Sequence, residues 1–173
     1  LAIAAGLPAG VFNVVPGLGA EAGQALARHM DVAKIAFTGS GPTGRKMMQY
    51  AAESNMKQVS LELGGKSPQV VLNDCTDLEA AASTIAWAIY YNAGQTCNAG
   101  SRIIVEKGVK EELFAHLHKF LESFVVGNQF DPTTQMAGLV SELQRDRVNA
   151  YLDLIGQDGE KLVFGGEKTT GKD

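Results

Sequence analysis

Two strand-turn-helix units follow one another near the start of the chain, and this order constrains the fold more than any other feature. An apolar run at 11–15 is followed by a turn and by a helix predicted over 21–29. A second apolar run at 34–37 is followed by a glycine-rich turn at 38–44 and a helix predicted over about 45–54. Alternating strands and helices are typical of a parallel sheet with helices on its faces. We therefore predict an α/β fold.

The glycine-rich turn at 38–44 lies where parallel sheets bind ligands, beyond the carboxyl end of a strand. Backbone N–H groups at the start of the next helix favour anions, and Ser40 and Thr43 add hydroxyl groups. These residues favour a dinucleotide phosphate. The spacing from Gly39 to Gly44 is G-x-x-x-x-G rather than G-x-G-x-x-G, and no P-loop lysine follows. A purely structural turn that needs positive φ therefore stays open as the alternative.

A third predicted strand, at 58–63, carries Glu62 close to its carboxyl end. A carboxylate there can act as a general base if burial makes it more basic, and the alternative is an ordinary exposed glutamate. The character of the chain changes after the glycine pair that follows this strand. We place a domain junction there, which divides the chain into 1–64 and 65–173.

Cys97 lies in a loop of small residues between two further predicted elements. A helix is predicted over 77–91 and a strand over 102–106. Gly94 and Gly100 leave little side-chain bulk near the sulfur, so a backbone or a planar ligand can come close. The cysteine is interpreted either as a reactive thiol or as a small buried hydrophobic residue.

The remaining segments complete the expected fold. The further elements are a strand over 69–72, an amphipathic helix over 109–125, a loop over 128–136, a helix over 141–155 and a strand over 161–164. The helix over 141–155 is expected to turn Val148, Tyr151, Leu152 and Ile155 inward. The first six residues are interpreted as the end of a helix, and both chain ends as cuts within a longer protein.

The composition excludes several classes of protein. Fifteen basic against nineteen acidic residues give a formal charge of −4, which disfavours nucleic acid and anionic membranes as partners. No run of eighteen apolar residues exists that would span a membrane. Cys75 and Cys97 form no CxxC pair, and the three histidines are not spaced for a metal. We expect no metal site and a reducing, cytoplasmic location.

Three motifs stand in order in the chain: FTGS at 37–40, LELGGKSP at 61–68, and GQTC at 94–97 leading into GSR at 100–102. Together they closely resemble the aldehyde dehydrogenase superfamily, and the similarity runs over about 12–166. The resemblance implies an aldehyde dehydrogenase-like α/β fold. Residues 1–64 would be the C-terminal part of a Rossmann-type NAD(P)-binding domain. Residues 65–173 would be the N-terminal part of an α/β catalytic domain.

The resemblance also implies a mechanism and its residues. Cys97 falls on the nucleophile of the family and Glu62 on its glutamate base, for NAD(P)-dependent oxidation of an aldehyde to a carboxylic acid. The reaction would pass through a thiohemiacetal and a thioester on Cys97. NAD is favoured over NADP. The implied cofactor-binding residues are Gly17, Thr38, Gly39, Ser40, Gly41, Pro42, Thr43, Gly44 and Leu63.

Partners and substrate class follow from the same resemblance. The substrate would be a small aldehyde, and the parent enzyme a homodimer or homotetramer. The runs at 21–26, 54–57 and 74–77 look most like aminoaldehyde-oxidising members, such as gamma-glutamyl-gamma-aminobutyraldehyde dehydrogenases. The alternatives are a coenzyme A-acylating relative, against which Glu62 argues, and a non-catalytic protein that keeps the fold.

We expect this chain alone to oxidise aldehydes weakly or not at all. In the family, an asparagine that helps to bind the adduct oxygen and the residues that hold the adenosine ribose would precede Leu1. The glutamate that holds the nicotinamide ribose would follow Asp173. An NAD reduction assay on the chain beside a full-length relative checks this, and equal turnover by the two proteins would contradict it.

Overall fold

The chain divides into two compact units, Leu1–Gly64 and Gly65–Asp173. The computed structural model describes residues 1–157 and 159–167. Within that part of the chain, each unit contains one two-stranded parallel sheet. The boundary between the units falls at the glycine pair where the sequence placed a junction. The assignment of the units to a cofactor domain and a catalytic domain stays a prediction.

The first unit is a β-α-β arrangement with one additional short helix. Strand β1 (Lys34–Gly39) pairs in parallel with strand β2 (Gln58–Leu63), and helix α2 (Gly41–Ala52) connects them. Helix α1 (Gln24–Arg28) precedes β1 and continues from a π-helical turn at Gly19–Gly23. The two parallel strands and both helices predicted for this region are confirmed, with small shifts in their ends.

Lys57, just before β2, anchors the elements of the first unit to one another. Its ammonium group is buried and donates to the carbonyl of Ala27, in α1, and to the hydroxyl of Ser54, each at 2.7 Å. Asn55 adds a bond from its amide to the carbonyl of Met30 at 2.6 Å. A buried ammonium group is tolerated only when its donors find such acceptors. These bonds tie the segment directly before β2 to α1 and to the residues that follow α1.

The apolar run at 11–15 is not a strand, so that prediction was wrong. Its side chains are largely exposed, with Phe12 at 68% and Val14 at 74%. A strand needs a neighbour for its N–H and C=O groups, and among the described residues β1 and β2 pair only with each other. The first six residues form turns rather than a helix, with one helical hydrogen bond from Ala5 to Leu1.

The second unit packs two helices beside its sheet. Strand β3 (Pro68–Val71) pairs in parallel with β4 (Arg102–Val105), and helix α3 (Leu78–Tyr90) packs against helix α4 (Lys110–Glu122). The core formed by these elements consists of Val71, Leu78, Ala82, Ile85, Ala86, Leu113 and Leu117. No helix in the described part of the chain has both the length and the apolar character needed to cross a membrane.

Two predictions for the end of the chain were wrong. Helix α5 (Glu142–Leu152) forms and is capped by Ser141, but none of its residues is buried. Tyr151, expected to point inward, is 76% exposed. The segment 161–164 is not a strand, and no described strand pairs with it. An apolar stripe identifies one face of an element, but burial requires a second element to cover that face.

Leu113 of α4 is fully buried in the core that α4 forms with α3, so its truncation should leave a cavity. We expect Leu113→Ala to lower the free energy of unfolding by about 2–5 kcal/mol. The matched control is Leu143→Ala on α5, where the leucine is 62% exposed and the change should stay within about 0.5 kcal/mol. Urea denaturation followed by the fluorescence of Trp87, the single tryptophan, measures both. Equal losses would contradict the assigned core.

Candidate active site

Cys97 is exposed in the loop between α3 and β4, after a sharp reversal of the backbone. The reversal uses three consecutive residues with positive φ: Asn92 at 52°, Ala93 at 54° and Gly94 at 72°. Left-handed conformations at non-glycine residues cost roughly 1–3 kcal/mol each and persist only where surrounding contacts fix them. The predicted end of the helix is confirmed, and the chain turns back directly before the cysteine.

Gln95 fixes the start of the cysteine loop. Its side-chain amide nitrogen donates to the carbonyl of Asn92 at 3.2 Å. Its side-chain oxygen accepts from the backbone N–H of Val140 at 3.0 Å. The second bond joins the loop to the segment that precedes α5, far away in sequence. The reversal before Cys97 is therefore supported by tertiary contacts as well as by its own turn.

The segment that leads into β3 lies directly against the cysteine loop. A Cβ atom placed on Gly65 would lie only 2.6 Å from the carbonyl oxygen of Cys97. Beside this contact, Arg102 donates from Nε to the carbonyl of Lys66 at 2.9 Å and from its backbone to that of Ser67 at 3.3 Å. Only a glycine at 65 allows the two backbones to approach this closely.

An open cavity of about 400 Å³ lies beside the cysteine. Its lining is uncharged and includes both neighbours of Cys97 in the chain. The lining residues are Thr84, Trp87, Ala88, Tyr91, Thr96 and Asn98. The sequence prediction missed this cavity. Its signal was a pair of aromatic residues spaced four apart, Trp87 on α3 and Tyr91 directly after it, which are 39% and 68% exposed.

Glu62 lies on β2, directly opposite Thr38 of β1 in the parallel pair. Its side chain is exposed. Burial, the condition attached to its role as a general base, is therefore not met among the described residues. The strand pairing nevertheless holds the glutamate at a fixed position near the carboxyl edge of this sheet.

The glycine-rich turn forms the first turn of α2, which begins at Gly41 rather than near residue 45. Ser40 is the N-cap, and its hydroxyl lies 3.5 Å from the backbone N–H of Thr43 and 3.0 Å from its hydroxyl. Pro42 follows at the start of the helix, where its missing N–H costs nothing. The serine cap explains why the helix starts earlier than predicted.

The structural alternative, a turn that needs glycines with positive φ, was wrong in its reason. No glycine of the turn has positive φ. A Cβ on Gly44 would lie 2.9 Å from the side chain of Leu63, so this glycine lets α2 approach β2. A Cβ on Gly41 would meet nothing within 4 Å, which leaves the backbone at the helix start uncovered. Thr38 and Gly39 form the end of β1.

This arrangement fits a dinucleotide phosphate. Uncovered backbone at Gly41, the hydroxyls of Ser40 and Thr43, and the start of a twelve-residue helix together suit an anion. Gly17 is different, because a Cβ there would lie 2.8 Å from that of Ala22, which gives this glycine a local packing role. Across 1–157 and 159–167, no group of three His, Cys, Asp or Glu side chains could hold a metal ion.

The model of the aldehyde dehydrogenase family matches residues 1–173, the whole chain. The chain belongs to the aldehyde dehydrogenase family. The family predicted from the three motifs is thereby confirmed. Aminoacetaldehyde dehydrogenase of Pseudomonas aeruginosa is 46% identical over 171 residues, which are 99% of this chain and 34% of that relative. This aldehyde dehydrogenase segment thus spans about a third of the length of the curated relatives that it matches.

Solved structures of aldehyde dehydrogenases share the fold of this segment. Gamma-glutamyl-gamma-aminobutyraldehyde dehydrogenase from Burkholderia cenocepacia is 50% identical with a TM-score of 0.89, over 96% of this chain and 33% of that one. An indole-3-acetaldehyde dehydrogenase in complex with NAD+ is 47% identical with a TM-score of 0.91, over 96% and 34%. The predicted aldehyde dehydrogenase-like α/β fold is confirmed.

The contact of Gly65 with Cys97 predicts the effect of one added methyl group in this aldehyde dehydrogenase segment. Gly65→Ala would drive a Cβ into the carbonyl of Cys97, so we expect a loss of about 1–3 kcal/mol in stability. Gly138→Ala is the control, because a Cβ there would meet nothing within 4 Å. Thermal unfolding of both variants checks this, and a Gly65→Ala variant as stable as the control would refute the close approach.

Proposed function

We propose that the whole protein containing this segment oxidises an aldehyde to a carboxylic acid with NAD(P)+ and with Cys97 as nucleophile. The observation that carries the proposal is the exposed thiol of Cys97, in a loop held by tertiary contacts and beside an uncharged cavity. Membership of the aldehyde dehydrogenase family supports the same reaction.

Cys97 acts in the first step. Its thiol loses a proton, and the thiolate adds to the carbonyl carbon of the aldehyde to form a carbon-sulfur bond. The carbonyl oxygen becomes negatively charged in this tetrahedral thiohemiacetal. The backbone N–H of Cys97 is a donor suited to that oxygen, and the turn around the cysteine keeps the amide and the sulfur in a constant relation.

The first unit would hold the cofactor that this step requires. When bound, a nicotinamide dinucleotide supplies the acceptor for the hydride that leaves the adduct, and a thioester remains on Cys97. Ser40, Thr43 and the uncovered backbone at Gly41 would bind its phosphate groups. We favour NAD because the indole-3-acetaldehyde dehydrogenase relative is described in complex with NAD+.

Glu62 acts in the last step. Its carboxylate accepts a proton from a water molecule as the water attacks the thioester carbon. The carbon-sulfur bond breaks, the carboxylic acid leaves, and the Cys97 thiolate is restored. A coenzyme A-acylating enzyme would not need this base, so the presence of Glu62 favours hydrolysis over acyl transfer.

We extend the proposal to aminoaldehydes as the substrate class. Two similar proteins are named for aminoaldehydes, aminoacetaldehyde and gamma-glutamyl-gamma-aminobutyraldehyde. The cavity beside Cys97 offers the rings of Trp87 and Tyr91, whose faces attract ammonium groups, and the hydroxyls of Thr84 and Thr96. We also propose a homodimer or homotetramer and a reducing, cytoplasmic location, which the absence of a disulfide between the two free cysteines suits.

Substitution of the two proposed catalytic residues tests the reaction in the full-length protein. We expect Cys97→Ala to lower NADH formation by at least about 10³-fold, because no nucleophile remains. Glu62→Gln should lower steady-state turnover and keep a rapid first burst of NADH, because the thioester then accumulates. A panel of aliphatic, aromatic and amino-aldehydes identifies the preferred substrate.

Cys75→Ala is the matched control, since Cys75 is half-buried before α3 and has no role in the proposed reaction. It should retain wild-type turnover. Full activity of Cys97→Ala would overturn the nucleophile, and a loss of the burst in Glu62→Gln would overturn the hydrolytic role of the glutamate.

A further inference from the structure

Gln69, a half-buried residue of β3, ties the exit of the cysteine loop to helix α3. Its side-chain amide nitrogen donates to the backbone carbonyl of Gly100 at 2.7 Å. The same nitrogen lies 3.3 Å from the carbonyl of Ile85 in α3 and donates to it as well. One side chain therefore connects a strand, a helix and the loop that carries Cys97.

Gly100 leaves room for the amide of Gln69 because it has no side chain. It is buried, and its own N–H donates to the carbonyl of Ala88 in α3 at 3.0 Å. A Cβ on Gly100 would lie 2.5 Å from the amide group of Gln69. The glutamine amide thus occupies the space that any other residue at 100 would fill. Both backbone polar groups of Gly100 are held, one by α3 and one by Gln69.

Only two residues separate Gly100 from Cys97, so holding Gly100 in place also restricts the position of Cys97. Ala99 donates from its backbone to Thr96 at 3.2 Å, and Ser101 donates to Ala99 at 2.8 Å, so the chain around the cysteine is a closed turn. On the other side, the carbonyl of Cys97 lies against Gly65. The position of Cys97 is therefore set by two contacts, one at Gly65 and one at Gly100. Gln69 holds Gly100 in place.

We propose that Gln69 is a positioning residue that sets the place of the Cys97 thiol through Gly100. The inference rests on the proposed function, in which Cys97 is the nucleophile. The amide is required as a donor to two carbonyl oxygens, which a carboxylate cannot replace. Small displacements of a reacting group cost up to about 10²-fold in rate, so the effect belongs to turnover rather than to substrate binding.

Two variants of the full-length enzyme test this positioning. Gln69→Met keeps the length of the side chain without its donors, and Gln69→Glu keeps its shape and replaces the donors by acceptors. We expect each to lower kcat by about tenfold or more, with KM changed by less than about threefold. Gln144→Met on α5, also a half-buried glutamine of the same unit, is the matched control and should leave both constants unchanged.

Hydrogen exchange supplies a second readout that needs no activity. In Gln69→Met, backbone exchange over 95–101 should rise by about fivefold or more, the factor expected for one lost hydrogen bond. Exchange over α4 should stay as in the wild type. A kcat within about twofold of wild type would overturn the proposal. An equal rise in exchange over the loop and α4 would also overturn it, because Gln69 would then only support general stability.

The two readouts separate this proposal from the proposed function. If Cys97→Ala kept its turnover, the nucleophile would be wrong, whereas the local rise in exchange would still show that Gln69 fixes the loop. If exchange and kcat were unchanged in the Gln69 variants while Cys97→Ala was inactive, the proposed function would stand and the positioning role would fall.

Discussion

The cysteine loop makes two close contacts that are possible only because glycines lie at positions 65 and 100. The position of the candidate nucleophile, Cys97, depends on these contacts. At Gly65 the missing side chain admits the carbonyl of Cys97, and at Gly100 it admits the amide of Gln69. Two hydrogen bonds then hold the two ends of the loop. Arg102 donates to the carbonyl of Lys66, and the side-chain oxygen of Gln95 accepts from the backbone N–H of Val140. Close packing resists displacement more strongly than a single hydrogen bond does, because overlap energies rise steeply with compression. An exposed thiol can in this way have a defined position.

The two units use their parallel sheets in different ways. In the first unit, the serine cap of α2 and Glu62 both lie at the carboxyl edge of the sheet, where α/β proteins commonly bind ligands. In the second unit, the cysteine loop enters β4 beside the start of β3, at the amino edge. This loop therefore does not lie at the carboxyl edge where α/β proteins commonly bind ligands. It is positioned by hydrogen bonds to two carbonyls of α3, from Gly100 to Ala88 and from Gln69 to Ile85.

The sequence correctly predicted those helices and strands that depend on residues close together in the chain. The helix predicted over 77–91 and the strand predicted over 58–63 are present in the structure as α3 and β2, and the three motifs led to the family. The errors concern partners remote in sequence. The apolar runs at 11–15 and 161–164 have strand composition but no described strand to pair with. The reasons for Gly44, Gly65 and Gly100 were equally hidden, because each depends on a side chain or carbonyl elsewhere in the fold.

In the proposed reaction, Cys97 carries the acyl group between oxidation and hydrolysis. The most direct measurement is acid quenching of the full-length Glu62→Gln enzyme with its aldehyde and NAD, followed by mass spectrometry of its peptides. We expect the mass of the acyl group on the peptide that contains Cys97, and an unmodified peptide with Cys75. Continued turnover without any acyl group on Cys97 would contradict it.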